Sequence, residues 1–231
     1  MARYGLVFID ADETLFDFAR GEEEALRATL AEAGIPFTLD VFDVYKAINA
    51  RAWAEVEAGT LGREELKTRR FDELFAALRA GADPVKSGEY YLDVLSQQAW
   101  LIEGAVELCA ALRSLATLVL LTNGITRVQR GRLGRSALHE AFDHVVISEE
   151  AGFAKPDPRV FELGAALAGI HDKNSMLMIG DSLASDIAGS INFGIDSCWY
   201  NPRRLAPGTI RPTYETGSLG EIAALMEPVR R

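Results

Sequence analysis

Cysteine is nearly missing from this chain, with two in 231 residues, Cys109 and Cys198. Two thiols cannot build a disulfide framework, and no spacing around them suggests zinc. Cys109 falls in a helix-like run and Cys198 in a strand-like run, so both are expected as buried free thiols. Long apolar runs are missing too. No segment approaches the roughly 20 residues of a membrane span. The first apolar stretch, Leu6–Ile9, is too short for a signal peptide and runs into acids. A reducing cytoplasm is the expected compartment. Basic residues are in deficit, 24 Lys and Arg against 34 Asp and Glu, for a net charge of -10. That argues against a nucleic-acid polymer as partner. It does not argue against a single nucleotide, whose phosphate a metal and one lysine can meet. Neither a GxGxxG nor a GxxxxGK[ST] loop supports dinucleotide or P-loop chemistry. His139, His144 and His171 show no ligand spacing.

What the chain does have is two alternating textures. Short apolar, β-branched runs occur at Leu6–Ile9, Leu118–Leu121, His144–Ile147, Met176–Ile179 and Ser197–Tyr200. They lack polar alternation, as strands of a parallel sheet covered on both faces do. Helical stripes separate the later ones: Leu108, Leu112 and Leu115, then Val160, Gly164 and Leu167. This order predicts a Rossmann-like, doubly wound α/β domain. Between Phe16 and Ile102 no strand candidate appears. Four helical stretches are expected there: Leu26, Leu30 and Ala33, closed by Gly34; Val41, Val44, Ile48 and Ala52, ended near Gly59; Phe71, Leu74, Phe75 and Leu78, ended at Gly81; and Ser87 to Trp100. The expected organisation is an α/β core from residues 1–15 and 103–231, interrupted after its first strand by a small helical bundle, 16–102. The stretch 202–212 reads as a surface loop.

Ligands of open α/β sheets sit beyond the carboxyl ends of the strands. The first strand ends in "FIDADETLFDF", with Asp10, Asp12 and Thr14; the second in Thr122, Asn123 and Gly124. Lys155-Pro156 follows the third; Gly180, Asp181 and Asp186 follow the fourth. Driving a hydrophobic strand into two acids is costly unless something compensates them. Asp10 and Asp181 converging on one Mg²⁺ would do so. The cation would draw in a phosphate, held by Lys155, the Thr122 hydroxyl and backbone amides near Asn123 and Gly124. Pro156 biases Lys155 toward an extended conformation. Asp10 can then attack phosphorus to form an aspartyl-phosphate. Asp12, two residues on, is placed to protonate the leaving oxygen and then to activate water.

The set D-A-D-E-T, L-T-N, K-P and G-D-S-L-A-S-D resembles the four motifs of the haloacid dehalogenase superfamily. The resemblance makes Asp10 the nucleophile and Asp12 the acid/base, which also lends Mg²⁺ a backbone carbonyl. It makes Asp181 a metal ligand and sets Asp186 behind it; Thr14 is expected in the same supporting layer. The helical insertion then resembles the family's α-helical cap. The longer stretches "VVISEEAGFAKPDPRVF" and "GDSLASDIAGSINFGIDSCWYN", with Asn49, Trp53, Gly59 and Arg70-Phe71, are similar to bacterial pyrimidine 5′-nucleotidases of that superfamily. The resemblance implies nucleoside monophosphates such as dUMP and dTMP as substrates. Asn49, Trp53, Arg70 and Phe71 are the candidate substrate contacts in the bundle. Other readings are a phosphatase for a phosphosugar or flavin mononucleotide, a phosphosugar mutase, a dehalogenase, and a non-catalytic scaffold. Asp12 disfavours the dehalogenase, whose family members lack an acid there. The intact set of catalytic residues disfavours the scaffold.

Overall fold

The computed structural model describes residues 3–226. Strand β1 is Leu6–Ile9, buried along its whole length. Strands β2 (Thr117–Thr122), β3 (His144–Ile147), β4 (Met176–Gly180), β5 (Asp196–Tyr200) and β6 (Tyr214–Thr216) join it in one six-stranded parallel sheet, ordered β3-β2-β1-β4-β5-β6. Five of these are the expected apolar runs, lengthened by at most a residue at either end. The sixth, β6, was not expected. It has three residues, lies at the sheet edge and carries no apolar run.

Side chains alternate along a strand, and here both faces are covered. Val7, Ile9, Leu118, Leu120, Leu177 and Ile179 pack on one face with helix α5 (Ala105–Arg113) and α10 (Leu219–Ile222). Leu6, Phe8, Val119, Leu121, Met176 and Met178 pack on the other, against α8 (Pro158–Ala168) and α9 (Ala188–Phe193). This is the doubly wound α/β fold. The strand order reverses beside β1, so the carboxyl ends of β1, β2 and β4 open onto one crevice. Leu115 and Leu167 leave their predicted stripes and are exposed, Leu115 beyond the end of α5.

After β1 the chain runs through four helices, α1 (Phe18–Glu32), α2 (Leu39–Glu57), α3 (Arg63–Leu78) and α4 (Pro84–Leu95). They surround an apolar cluster of their own, with Leu26, Leu30, Tyr45, Phe71, Leu74, Tyr91 and Leu92. The inward stripe of α2 is Phe42, Tyr45, Ile48, Asn49 and Ala52; Val44, expected inside, faces out. Helix α3 ends before Gly81, with Arg79 in the left-handed region at φ 53° as its C-cap. Helix α4 begins and ends earlier than Ser87–Trp100. Asp83 caps its amino end, accepting from the Val85 and Lys86 amides, and Pro84 fills the first turn. The two passages between sheet and bundle run side by side. The Ile102 amide donates to Leu15 O at 2.9 Å and the Asp17 amide to Trp100 O at 3.0 Å.

Among the described residues no helix is long and apolar enough to cross a membrane. Cys109 and Cys198 are buried and unpaired, and burial pushes both thiols up to about 12. Residues 203–206 and 208–209 lie on the exposed loop before β6, as expected.

Candidate active site

The carboxyl ends of β1 and β4 deliver Asp10 and Asp181, and the turn after β4 brings in Asp186. Carboxylate oxygens of these three lie within 4.8 Å of one another. Gly180 makes this possible, since a Cβ there would sit 2.3 Å from the Asp186 carboxyl carbon. Trp199 on β5 fixes the Asp181 backbone, its indole N–H donating to Asp181 O at 2.7 Å. Lys155 reaches the same acids from the loop after β3. Its ammonium donates to Asp10 and, at 2.7 Å, to Leu121 O, and pairs with Asp186 at 2.7 Å.

Lys155 is pinned by its backbone. Its N–H donates to Asn123 Oδ1 and its C=O accepts from Asn123 Nδ2, both at 2.8 Å. The Asn123 side chain therefore orients the lysine. The following peptide, Lys155-Pro156, is cis. The Thr122 hydroxyl accepts from the Gly124 amide at 3.2 Å, which leaves its own proton to donate into the cavity. That bond also occupies the Gly124 amide, which had been expected to be free for a phosphoryl oxygen.

Burial pushes the Asp10 carboxyl up. Lys155 pulls it down, and Asp186, Asp181 and Asp12 push it up again. Burial, then Asp186 and Glu13, carries Asp181 to about 7. Burial opposes charge on Lys155, yet Asp10 and Asp186 outweigh it and hold the ammonium above the usual lysine range. Fully ionised, the three clustered carboxylates against one ammonium would carry two negative charges. One divalent cation of oxygen-ligand preference matches that deficit in charge and in donor type.

Asp12 stands apart from this cluster. Its Oδ1 accepts from Arg132 Nη1 at 2.6 Å and its Oδ2 from Gln129 Nε2 at 2.7 Å. Both partners lie on α6 (Thr126–Arg135) and are buried. The Arg132 guanidinium also sits 4.6 Å from the Phe16 ring centroid. Gly124 makes room for Gln129, whose Nε2 would lie 2.2 Å from a Cβ at that position. The sequence reading missed Gln129 and Arg132, because "TRVQRGRLGR" resembles an ordinary solvated helix. Thr14 is fully buried with its hydroxyl unpartnered and does not line the cavity.

A cavity of about 280 Å³ joins these groups to the helical bundle. Its sheet side carries Asp10, Asp12, Thr122, Asn123, Gly124, Lys155 and Asp181, and its bundle side includes Phe18, Trp53, Arg70, Leu92 and Leu95. Of the four candidate substrate contacts, Trp53 and Arg70 therefore face the cavity. Phe71 does not: it is fully buried among Tyr45, Phe75 and Tyr91, the aromatic core of the bundle. Asn49 is not on the wall either. It lies one layer back, donating to Glu22 at 2.8 Å and accepting from Arg70 at 3.3 Å.

A family model of haloacid dehalogenase-like hydrolases matches residues 4–194. The chain belongs to that family. This haloacid dehalogenase-like hydrolase is 35% identical to the pyrimidine 5′-nucleotidase YjjG of Escherichia coli over 97% of its own length and 98% of the relative's. It is 37% identical to the pyrimidine 5′-nucleotidase PynA of Streptococcus pneumoniae, covering 95% and 93% of the two chains. It also superposes on a magnesium-bound crystal structure of the HAD-hydrolase YfnB of Bacillus subtilis. The TM-score there is 0.91 at 33% identity, over 98% and 100% of the chains. Solved 2-haloacid dehalogenases share the fold at lower similarity, TM-score 0.67 and 24% identity for the one from Pseudomonas syringae.

Proposed function

We propose that the protein is a Mg²⁺-dependent phosphomonoesterase whose substrate is a pyrimidine nucleoside monophosphate. The observation that carries the reading is the composition of this cavity, a charged phosphoryl site on the sheet side and an apolar, aromatic-lined wall on the bundle side. A nucleotide has the same two halves. The full-length likeness to two pyrimidine 5′-nucleotidases supports the base class.

Asp10, Asp181 and the Asp12 backbone carbonyl would hold the cation, with Asp186 behind them. The bound cation would neutralise phosphoryl oxygens and the charge of the acids around them. Lys155, giving up one of its three acceptors, would bind a phosphoryl oxygen, and the Thr122 hydroxyl would donate to another. A carboxylate oxygen of Asp10 attacks phosphorus in line with the leaving 5′-oxygen. To serve as the acid, Asp12 turns one oxygen away from Arg132 and Gln129 and takes up a proton from solvent before the transfer; it then protonates the leaving oxygen as the P–O bond breaks, and the nucleoside departs. Asp12, now a carboxylate, takes a proton from water, which attacks the aspartyl-phosphate at phosphorus and returns Asp10 with inorganic phosphate. The bundle acts as a cap over the sheet, with the paired passages near Phe16 and Leu101 as its hinge. Closure keeps bulk water from the transfer step.

Phosphate release from a panel of dUMP, dTMP, UMP, dAMP, sugar phosphates and flavin mononucleotide tests the reading. Release concentrated on the pyrimidine nucleotides, abolished by EDTA and restored by Mg²⁺, is the expected result. Release spread evenly over sugar phosphates would keep the chemistry and discard the nucleotide.

A further inference from the structure

The catalytic cavity adjoins a second space. An outer cleft of about 700 Å³ lies between the bundle and residues 152–159, and it shares Trp53, Glu57, Asn123 and Lys155 with the inner cavity. Those four residues form the neck between the two. Asn123 and Lys155 are its sheet side and belong to the proposed phosphoryl site. Trp53 and Glu57 are its bundle side. They stand one helical turn apart at the carboxyl end of α2, so they share a face of that helix. A phosphate held by Lys155 and Thr122 therefore has this pair across the neck from it.

The charge at the neck is one-sided. Glu57 is exposed and pairs with no cation among the described residues. Its neighbours differ: Glu55 pairs with Arg69 at 2.8 Å, and Glu73 with the same arginine at 3.0 Å. The cations that line either space are engaged elsewhere. Lys155 meets Asp10 and Asp186, and Arg70 is 2% exposed and donates to Asn49. In the outer cleft, Arg159 pairs with Asp157 at 2.5 Å. Arg63 donates to Ser148 Oγ at 2.9 Å and draws the Glu149 carboxyl down. What a leaving group meets at the neck is one unpaired negative charge. A neutral group is indifferent to it, and a group with a carboxylate is repelled.

We propose that the Glu57 carboxylate is a charge filter at this neck, selecting neutral leaving groups such as a pyrimidine nucleoside against those that carry a carboxylate. The phosphate is common to all substrates, so its own repulsion by Glu57 cancels in the comparison. The inference deepens the nucleotidase reading and rests on it.

The test is kcat/KM for UMP, dUMP, orotidine 5′-monophosphate and glycerol 3-phosphate in the wild type, Glu57→Gln, Glu57→Lys and Glu24→Gln. Orotidine 5′-monophosphate is UMP with a carboxylate on its ring. Glu24 is exposed on α1 and lines neither space, so its variant controls for overall charge. Position 57 is exposed in the last turn of a helix, where lysine is favourable, so neither variant disturbs packing. The wild type should favour UMP over orotidine 5′-monophosphate by at least about threefold. Glu57→Gln should narrow that ratio about threefold, the scale of one exposed charge pair, and Glu57→Lys about tenfold, because it moves the charge by two. Raising salt from about 0.1 to about 0.5 M should narrow the wild-type ratio and leave that of Glu57→Gln in place. A wild type that hydrolyses neither UMP nor dUMP better than glycerol 3-phosphate would remove the nucleotidase reading and this inference with it. A wild type that prefers UMP while both Glu57 variants keep its ratio would overturn the inference alone. So would an equal narrowing in Glu24→Gln, which marks an effect of overall charge.

Discussion

Arg132 is buried in the sheet domain and spends its charge on one carboxylate, Asp12. With Gln129 it engages both oxygens of the residue proposed to carry the proton to the leaving group. An acid matters most when the leaving group is poor. Arg132→Lys keeps the charge but loses the planar fork that aims Asp12, and should lower kcat on dUMP by about 10- to 100-fold, less than the roughly 100- to 10,000-fold of losing a general acid outright. On p-nitrophenyl phosphate, whose leaving group departs as a stable phenolate, the loss should be several-fold smaller. Equal losses on both substrates would show that Arg132 acts only through folding. A second residue of this kind is Glu22. Its carboxyl is carried to about 7 in the folded chain, chiefly by burial, against an ordinary value of 4.5. A pKa raised on folding stabilises below the unfolded value and loses that contribution as pH rises through the folded one. The relative stability of Glu22→Gln over the wild type should thus grow between pH 5 and pH 8, by about 2 kcal/mol. Urea unfolding at the two pH values measures it, and parallel changes in both proteins would contradict the burial argument.

At the scale of elements, the sequence was most readable where a segment is buried on both sides. The runs at Leu6, Leu118 and Met176 could be nothing but inner strands, because no polar position interrupts them. β6 carries no such signal: Tyr214 and Glu215 are not buried, and pairing with β5 alone makes it a strand. Helix ends were readable where a cap is local. Asp83-Pro84 is such a signal, but periodicity alone passes it over and begins the helix at Ser87, behind its true start at Pro84. The chemistry at the strand ends was legible for the same topological reason that the site exists, since each strand tip carries its own polar group. Gln129 and Arg132 were not, because their partner Asp12 lies 117 and 120 residues away along the chain. Phe71 and Asn49 show the same limit. Periodicity puts both on an inward face, but only packing separates the cavity wall from the layer behind it.

The whole molecule is two cores joined by two neighbouring passages, a few polar contacts, and the apolar packing of Ile125 and Val128 at the start of α6 into the bundle's cluster. Arg63 of α3 donates to Ser148 Oγ at 2.9 Å, just beyond β3; Lys67 lies 3.7 Å from Glu149; and Arg127 of α6 meets Glu89 and Asp93 of α4. The half-exposed pairs of Arg127 contribute at most about 1 kcal/mol each. The proposed opening of the bundle as a cap would have to break these contacts and uncover Ile125 and Val128. The proposed catalytic groups lie on the sheet side of that division, and the account stands or falls with the proposed nucleophile among them. The measurement that tests it most directly is Mg²⁺-supported phosphate release from dUMP by Asp10→Asn beside the wild type, with thermal unfolding of both. The nucleophilic role predicts a loss of at least about a thousandfold in a variant that unfolds at or above the wild-type temperature, since one of the crowded buried carboxylates is gone. Release within tenfold of the wild type by the folded variant would contradict the aspartyl-phosphate mechanism.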